Sequence, residues 1–384
     1  MTPLYLDHAA TTPIAPEALS RFRELLEQFV ANSSSGHQQG TRALALLNQA
    51  RETVAKKLGC EPGEIVFTSG GTESNNWILQ RVMQDASVAM APRGVKPHLI
   101  ISSIEHSSVT NVAEWLKKTG TIECTEVKPE ADGRVSPQAL EASIQPNTVL
   151  VSIMHGNNEI ATIQDIKALG EVCRAKDVLF HSDACQTFCH TSFSARELPV
   201  DFLSLSGHKI RAPKGVGAVF IRKSLEVSPL LFGGKQERGL RPGTTSVELI
   251  CAFATACELW DHGVVERMQH VRRYAIDQLR KNVKGLRVNG PESSEALCHV
   301  LSFTISGVHS KDVHRELAGA LVACSTGAAC GTGKSDSSAV LLGLGREPKD
   351  AHQIRISFSP TTELTAIDIF IDRLTKVLKT LETT

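Results

Sequence analysis

The stretch Glu64-Ile-Val-Phe-Thr-Ser-Gly-Gly-Thr-Glu-Ser-Asn-Asn76 runs a β-branched segment into a Gly-Gly turn and at once into a helix-forming one. A junction of that kind aims free backbone N–H groups and the positive end of a helix dipole at one point, which is a seat for phosphate. Gly70 and Gly71 permit close approach, and Thr72 adds a hydroxyl donor. With no ligand, the same residues make a tight turn with Thr72 as the helix cap. The pattern is neither Gly-x-Gly-x-x-Gly nor a Walker loop, so it implies no nucleotide. A second stretch, Val178-Leu-Phe-His-Ser-Asp-Ala-Cys-Gln186, sets an acid directly after an apolar strand pattern. An unpaired buried carboxylate is costly. Asp183 therefore either caps the next helix or pairs with a cationic ring nitrogen on a ligand, and Gln186 could bond a phenolic oxygen.

A third stretch, Asp201-Phe-Leu-Ser-Leu-Ser-Gly-His-Lys-Ile-Arg-Ala-Pro-Lys-Gly-Val-Gly217, puts Ser206, His208 and Lys209 after another strand in a turn bounded by Gly and Pro. Taken alone, such a lysine is a solvated surface charge. A lysine that loses its proton through burial or a cationic neighbour becomes a nucleophile toward carbonyls. A phosphate seat, an acid for a ring nitrogen and a Schiff-base lysine are together the protein parts that surround pyridoxal phosphate (PLP). The last stretch is Cys324-Ser-Thr-Gly-Ala-Ala-Cys-Gly-Thr-Gly-Lys-Ser-Asp-Ser-Ser338. Its Gly, Ser and Thr content predicts a mobile loop rather than packed core. A thiolate at Cys330 would suit a reaction that takes a group from a substrate at the cofactor and carries it away. Cys324, after a hydrophobic run, reads as core.

These residues need elements to position them. From about residue 40 to 260 helical periodicity alternates with short apolar runs. Gly40 to Leu58 reads as a helix stopped by Gly59. Residues 64–68, 98–103, 148–154, 178–182, 201–205 and 216–221 read as strands, with a helix such as Gln164 to Lys176 between two of them. That order predicts an α/β fold with a mostly parallel sheet covered on both faces, and a ligand site beyond the carboxyl ends of its strands. One long helical pattern from Ser246 to about Val283 leads to a second texture. Cys298–Ile305 and Gln353–Phe358 read as strands, and Lys311–Leu321 and Glu363–Leu381 as helices. The expected division is a large unit over 15–260 and a smaller α+β unit made of 1–14 and 261–384, which carries the cysteine loop at about 325–338.

The 384 residues carry 41 basic and 41 acidic side chains, a balance that argues against broad phosphate-backbone contacts and so against a nucleic-acid partner. No apolar run reaches the roughly 18 residues of a membrane span. The start, Met1 to Asp7, has no basic and apolar leader pattern. Ten scattered cysteines with no Cys-x-x-Cys pair predict reduced thiols and a cytoplasmic location.

In these motifs the chain resembles the cysteine desulfurase family, PLP enzymes of the fold-type-I, class-V aminotransferase group. The resemblance runs from Leu6-Asp-His-Ala-Ala-Thr-Thr-Pro13 to Ile354-Arg-Ile-Ser-Phe358 and includes Ser69-Gly-Gly-Thr-Glu-Ser74, Asn157-Asn-Glu159, Ser206-Gly-His-Lys209 and Arg241-Pro-Gly-Thr244. It implies that Lys209 holds PLP as an imine and that His106 stacks on the ring and takes part as acid or base. Asp183 would pair with the ring nitrogen, and Asn158 and Gln186 would meet the ring hydroxyl. Gly71, Thr72, Ser206 and His208 would hold the phosphate, with Thr244 supplied by a second subunit of a homodimer. Arg355 would grip the substrate carboxylate with help from Asn32 and Asn158, although an arginine inside a strand also serves as a salt-bridge partner. Cys330 would take sulfur from L-cysteine as a persulfide and leave L-alanine, for delivery to an acceptor or scaffold protein in iron–sulfur cluster or thio-cofactor supply.

The run Gly-Ala-Ala-Cys330, with Gly94-Val-Lys-Pro-His98 and Phe232-Gly-Gly-Lys-Gln-Glu-Arg238, is also similar to selenocysteine lyases, whose substrate would be L-selenocysteine. Two other PLP readings are an aminotransferase or a decarboxylase in which Cys330 is incidental. A sulfur-delivery subunit without cofactor would not need Lys209 and Asp183. A nicotinamide dehydrogenase would need the glycine fingerprint that is missing here.

Overall fold

A computed structural model describes residues 2–28, 30–326 and 337–382. The strands are β1 (Leu4–Tyr5), β2 (Ile65–Thr68), β3 (His98–Ser102), β4 (Glu123–Val127), β5 (Thr148–Ser152), β6 (Leu179–Asp183), β7 (Phe202–Ser206), β8 (Gly217–Ile221), β9 (Leu286–Asn289), β10 (Val300–Ile305), β11 (Val322–Ala323) and β12 (Ile354–Ser357). The helices are α1 (Pro16–Gln28), α2 (Gln38–Leu58), α3 (Gly71–Met90), α4 (Ser107–Lys118), α5 (Pro137–Ser143), α6 (Ile166–Ala175), α7 (Val247–Glu258), α8 (His262–Asn282), α9 (Ser310–Gly319), α10 (Ala339–Gly343) and α11 (Leu364–Glu382).

The central sheet has seven strands in the order β2-β8-β7-β6-β5-β3-β4. Five of them, β4, β3, β5, β6 and β7, pair in parallel, and β8 runs antiparallel between β7 and β2. Its inner strands are buried along their length because helices cover both faces. The pleat divides their side chains: Ile65 and Phe67 join one apolar cluster, and Val66 between them joins the other with Trp77, Leu99 and Phe202. Each such side chain contributes roughly 1.5–3 kcal/mol by leaving water.

The register brings the chemistry to one end of this sheet. Asp183 is opposite Ser204, and Ser206 is opposite Gly217, which also faces Thr68 across the next pair. A Cβ at Gly217 would lie 2.6 Å from Gly70 Cα and 2.4 Å from the Leu205 carbonyl oxygen, so only glycine lets the turn after β2 approach the end of β7.

A three-stranded antiparallel sheet, β12-β10-β9, and the short parallel pair β1-β11 make up the rest. The N-terminal segment is tied to them: Leu4 and Tyr5 pair with Val322 and Ala323, and Asp7 bridges Ser357. No helix among the described residues is long and apolar enough to cross a membrane.

Several local readings shift. The helical pattern from 246 to 283 is two helices, because Asp261 caps α8 by accepting from the Val264 N–H at 2.8 Å, and Trp260 turns inward to donate to the Ile210 carbonyl at 3.1 Å. Gly70, not Thr72, is the N-cap of α3; its φ of 147° and ψ of −177° suit glycine, and Thr72 sits in the first turn. Asp183 and Ser206 are the last residues of their strands rather than the first of the loops. Strand β4 carries no apolar signal because it is the sheet edge and is half exposed.

Candidate active site

One cavity of about 660 Å³ opens at the carboxyl ends of the central strands. Gly71, Thr72, His106, Asn158, Asp183, Gln186, Ser206, His208, Lys209 and Arg355 all line it. Asn32 and Thr244 do not. Asn32 is half-buried in a turn where its Oδ1 accepts from the Ser34 N–H at 2.9 Å. Thr244 is exposed. Cys330 lies outside the described residues, although Ser325 and Ser337, on either side of it in the chain, line the cavity.

The floor is made by β6 and β7. Asp183 is buried; its Oδ2 accepts from Asn75 Nδ2 at 2.7 Å and its Oδ1 from the Cys185 N–H at 2.9 Å. No helix follows β6 before β7, so Asp183 is not a helix cap; its carboxylate holds a turn through the Cys185 N–H and lines the cavity. Lys209 follows β7 in a short 3-10 turn. Its Nζ donates to the carbonyls of Ala9 and Ala10 at 2.5 and 2.8 Å, so the N-terminal segment holds the amine at the cavity. His208 Nδ1 meets Thr11 Oγ1 at 3.1 Å, and burial, helped by Lys209 and Lys214, pushes its pKa down to about 4.

His106 caps α4. Its Nδ1 accepts from the Ser108 N–H at 3.1 Å, which places the ring proton on Nε2. Burial, with Lys209 adding and Asp183 opposing, moves this histidine below its ordinary range, so the ring is neutral at pH 7. Gln186 is fixed at both ends, its Nε2 donating to the Ala9 carbonyl at 3.1 Å and its Oε1 meeting His299 Nε2 at 2.8 Å.

The phosphate seat has support that motif reading does not show. Glu73, in the first turn of α3, accepts from the Ser69 N–H at 2.9 Å and pairs with Arg241 at 2.9 Å. Burial opposes ionisation of Glu73, yet the Arg241 and Ser69 hydrogen bonds win and hold its pKa below the usual carboxylate value. A Cβ at Gly71 would meet Cys185 Sγ at 2.3 Å, so the seat is open only because residue 71 has none. The free N–H groups at the start of α3, the cavity-lining acid and the lysine beside it fit PLP.

On the opposite wall Arg355 donates from Nη2 to Asp7 Oδ1 at 2.8 Å and from Nη1 to the Asn158 carbonyl at 3.1 Å. It is both a strand residue with a salt-bridge partner and a cavity-lining cation. Sequence reasoning missed Asp7, because nothing local to it announces a partner far along the chain. It also missed two buried acids of the wall. Glu105 accepts from Ser102 Oγ and from the Met154 N–H; burial, with the charge of Asp183 adding, pushes it up to about 8. Glu159 is pushed up by burial and accepts from Ser338 Oγ at 2.6 Å and from Gln353 Nε2. The motif Asn157-Asn-Glu159 was the available signal, with only Asn158 drawn from it.

Comparison with known proteins agrees with this geometry. The class-V aminotransferase family model matches residues 4–370. The chain is 36% identical to cysteine desulfurase IscS of Dictyoglomus turgidum, over 99% of this chain and 95% of that protein. It is 34% identical to cysteine desulfurase IscS of Methanosarcina thermophila, over 98% and 92%. Among solved structures, a NifS-like protein superposes with a TM-score of 0.89 at 32% identity, covering 98% of this chain and all of the other. A structure described as SspA in complex with cysteine superposes with a TM-score of 0.81 at 34% identity, over 94% of this chain. The chain belongs to the class-V aminotransferase family, among its PLP-dependent cysteine desulfurases.

Proposed function

We propose that the protein takes sulfur from L-cysteine, leaving L-alanine and a persulfide on Cys330. The observation that carries this reading is that Lys209, Asp183 and Arg355 line one cavity with Ser325 and Ser337, which lie on either side of Cys330 in the chain. Bound PLP supplies an electron sink for the substrate Cα–H bond. Asp183, with both oxygens already held by donors, would accept the N–H of a bound cofactor ring and favour its protonated form. Arg355 orients the substrate carboxylate, and Asn158 shares that wall. Lys209 Nζ, released from the Ala9 and Ala10 carbonyls, moves the proton at Cα.

The Cys330 thiolate attacks substrate Sγ. An S–S bond forms as the Cβ–Sγ bond breaks, the electron pair goes to the carbon side, and protonation of carbon gives alanine. His106, neutral with its proton on Nε2 and lining the cavity, would exchange protons with a substrate bound there. An unperturbed thiol with a pKa of about 8.5 is only a few per cent ionised at neutral pH, so the nucleophile needs local help. Eight described cysteines lack it: burial pushes Cys60, Cys173, Cys298 and Cys324 up to about 12, Cys124 and Cys251 up to about 11, and Cys185 and Cys257 well above the ordinary thiol value.

Residues 15–260 form the cofactor-binding unit in this reading, and 1–14 with 261–384 the unit that brings Arg355 and Cys330. A homodimer would use the exposed Thr244 at a neighbour's phosphate seat; Arg241, three residues before it, is already paired with Glu73 at this chain's own seat. An acceptor protein then takes the persulfide sulfur in a reducing, cytoplasmic-type compartment, which suits the nine described free thiols. The test is addition of L-cysteine to the PLP-loaded enzyme. The expected result is alanine together with one extra sulfur on the Cys330 peptide by mass spectrometry, both lost in Cys330→Ala. Undiminished alanine formation by Cys330→Ala would sink the reading.

A further inference from the structure

Arg355 is buried to 5% exposure, and its guanidinium is only partly used. Of its five N–H donors, the contacts to Asp7 and to the Asn158 carbonyl engage one on each terminal nitrogen, and buried Nε has no hydrogen-bond partner. Buried donors are nearly always paired. Arg355 as a residue lines the cavity, while Nε is closed to solvent, which leaves the second N–H of each terminal nitrogen for a ligand. Asp7 in turn is set by the backbone rather than by chance of side-chain reach. It bridges Ser357, the Leu6 carbonyl accepts from the Ser357 N–H at 2.7 Å, and the Asp7 carbonyl accepts from the Ala10 N–H at 3.1 Å. Its carboxylate therefore reaches the guanidinium from a fixed position.

We propose that Asp7 is a specificity-determining positioning residue: it holds Arg355 charge-balanced and turned so that a ligand carboxylate reaching the open guanidinium N–H donors binds, while simple inorganic anions do not. The inference rests on reading Arg355 as the carboxylate anchor. A buried guanidinium without a counter-charge would draw in any small anion, because removing one partner of a buried pair leaves an uncompensated charge. Paired with Asp7, the site has no net charge for chloride to neutralise. It still offers directional donors, and a planar carboxylate sets one oxygen on each of two N–H groups where a sphere must share a single centre between them. Asp7 also repels a second negative charge on the ligand, which favours an amino acid with a neutral side chain.

The test uses PLP-loaded enzyme and L-alanine, which has the carboxylate and no sulfur, with the change in cofactor absorbance on binding as the readout. Titrations are run in sodium chloride and in sodium gluconate at equal ionic strength, so that screening is common to both. Wild type is expected to show the same alanine affinity in the two salts within about twofold. Asp7→Asn is expected to lose about tenfold in chloride only, equivalent to ~1.4 kcal/mol. Asp7→Glu, which keeps the charge but moves it, is expected to fall between at about threefold, and KM for cysteine is expected to follow the same order while kcat does not. Chloride behaviour like wild type in the variants overturns the proposal. If Asp7→Asn does not fold, Asp7→Glu carries the same test. The anchor reading fails separately, if Arg355→Gln binds alanine as tightly as wild type in gluconate.

Discussion

The cofactor side of the cavity and its substrate side are assembled in opposite ways. On the cofactor side Asp183 and Ser206 end two adjacent parallel strands, and Lys209 follows within the next turn. Position there comes from sheet register, which a one-residue slip would invert entirely. On the substrate side Arg355 meets Asp7 across 348 residues of chain, and Ser325 pairs with Arg355 through an isolated bridge. Position there comes from strands of three separate chain regions packing together. The backbone of the first wall is thus set by neighbouring strands, with the N-terminal segment holding the Lys209 amine, and the second wall depends on tertiary docking throughout. Damage to the first should abolish chemistry at a set point, and damage to the second should change what binds.

The largest effect that separates the walls is expected at Asp183. Asp183→Asn preserves the shape and the donor from Asn75 but removes the charge that keeps a ring nitrogen protonated. A hydrogen bond to a charged group is worth about 1.5–3 kcal/mol, so turnover measured as alanine formation should fall roughly 10- to 150-fold with little change in KM. A loss below threefold would mean that this wall does not hold the cofactor's charge. Next in size is Gly71→Ala, whose Cβ would clash with the sulfur of half-buried Cys185. Cofactor affinity by equilibrium dialysis should fall about tenfold and recover in Gly71→Ala with Cys185→Ala, because the second change opens the space the first one fills. The lone Cys185→Ala should cost about 1 kcal/mol of stability at most.

That pair also shows what sequence could and could not reveal. The seat, the acid and the lysine were legible because each sits within a few residues of a strand end, and strand ends follow from short apolar runs. The Cys185 sulfur under Gly71 was not, since their contact depends on how α3 lies over the turn after β6. Asp7 was quoted within a motif yet given no role, because its partner is at the other end of the chain. The break at Trp260 was hidden too: helical periodicity continues through it, and only the Asp261 cap and the tryptophan's inward hydrogen bond interrupt it. Asn32 was drawn toward the substrate by resemblance alone, and the chain's own cavity does not include it.

The rigidity of the cofactor wall should also appear as acid sensitivity. His181 links β5 and β7 through Ser152 and Ser204 at 2.8 and 2.9 Å, and burial pushes its pKa, like that of His155, down to about 4, and that of His190 to about 3. Their folded values lie below the unfolded one near 6.5, so the unfolded chain binds more protons between those limits. Stability is then full above about pH 6.5 and is lost as pH falls toward 4. Glu105 has the opposite sign: with its folded pKa near 8, its contribution is present below the unfolded carboxylate value near 4.3 and is lost as pH rises to about 8. Glu159, also raised by burial, has the same sign as Glu105; the three histidines outweigh the two carboxyls on the acid side, and above pH 6.5 the carboxyls' loss continues without them. Thermal unfolding should therefore peak near pH 6.5, and His181→Gln should soften the acid limb by about one proton. A melting temperature flat from pH 4.5 to 6.5 would contradict the buried, neutral state of these rings.

The smallest effect is expected at Asn32, and it probes whether the substrate wall is complete within one chain. Asn32→Ala removes a turn hydrogen bond to the Ser34 N–H in a half-buried loop, a change worth within about 0.5 kcal/mol of stability. With no place in the cavity of its own chain, it should leave KM for cysteine within about twofold. A rise of about fivefold or more at unchanged melting temperature would put the residue against substrate after all, brought there by a second copy of the chain or by movement of its own loop. Mixing Asn32→Ala with Arg355→Gln then decides the matter. If Asn32 acts across subunits, a mixed dimer holds one site built from the two unchanged residues and recovers part of the activity that each variant alone has lost. If it acts within its own chain, no mixture does.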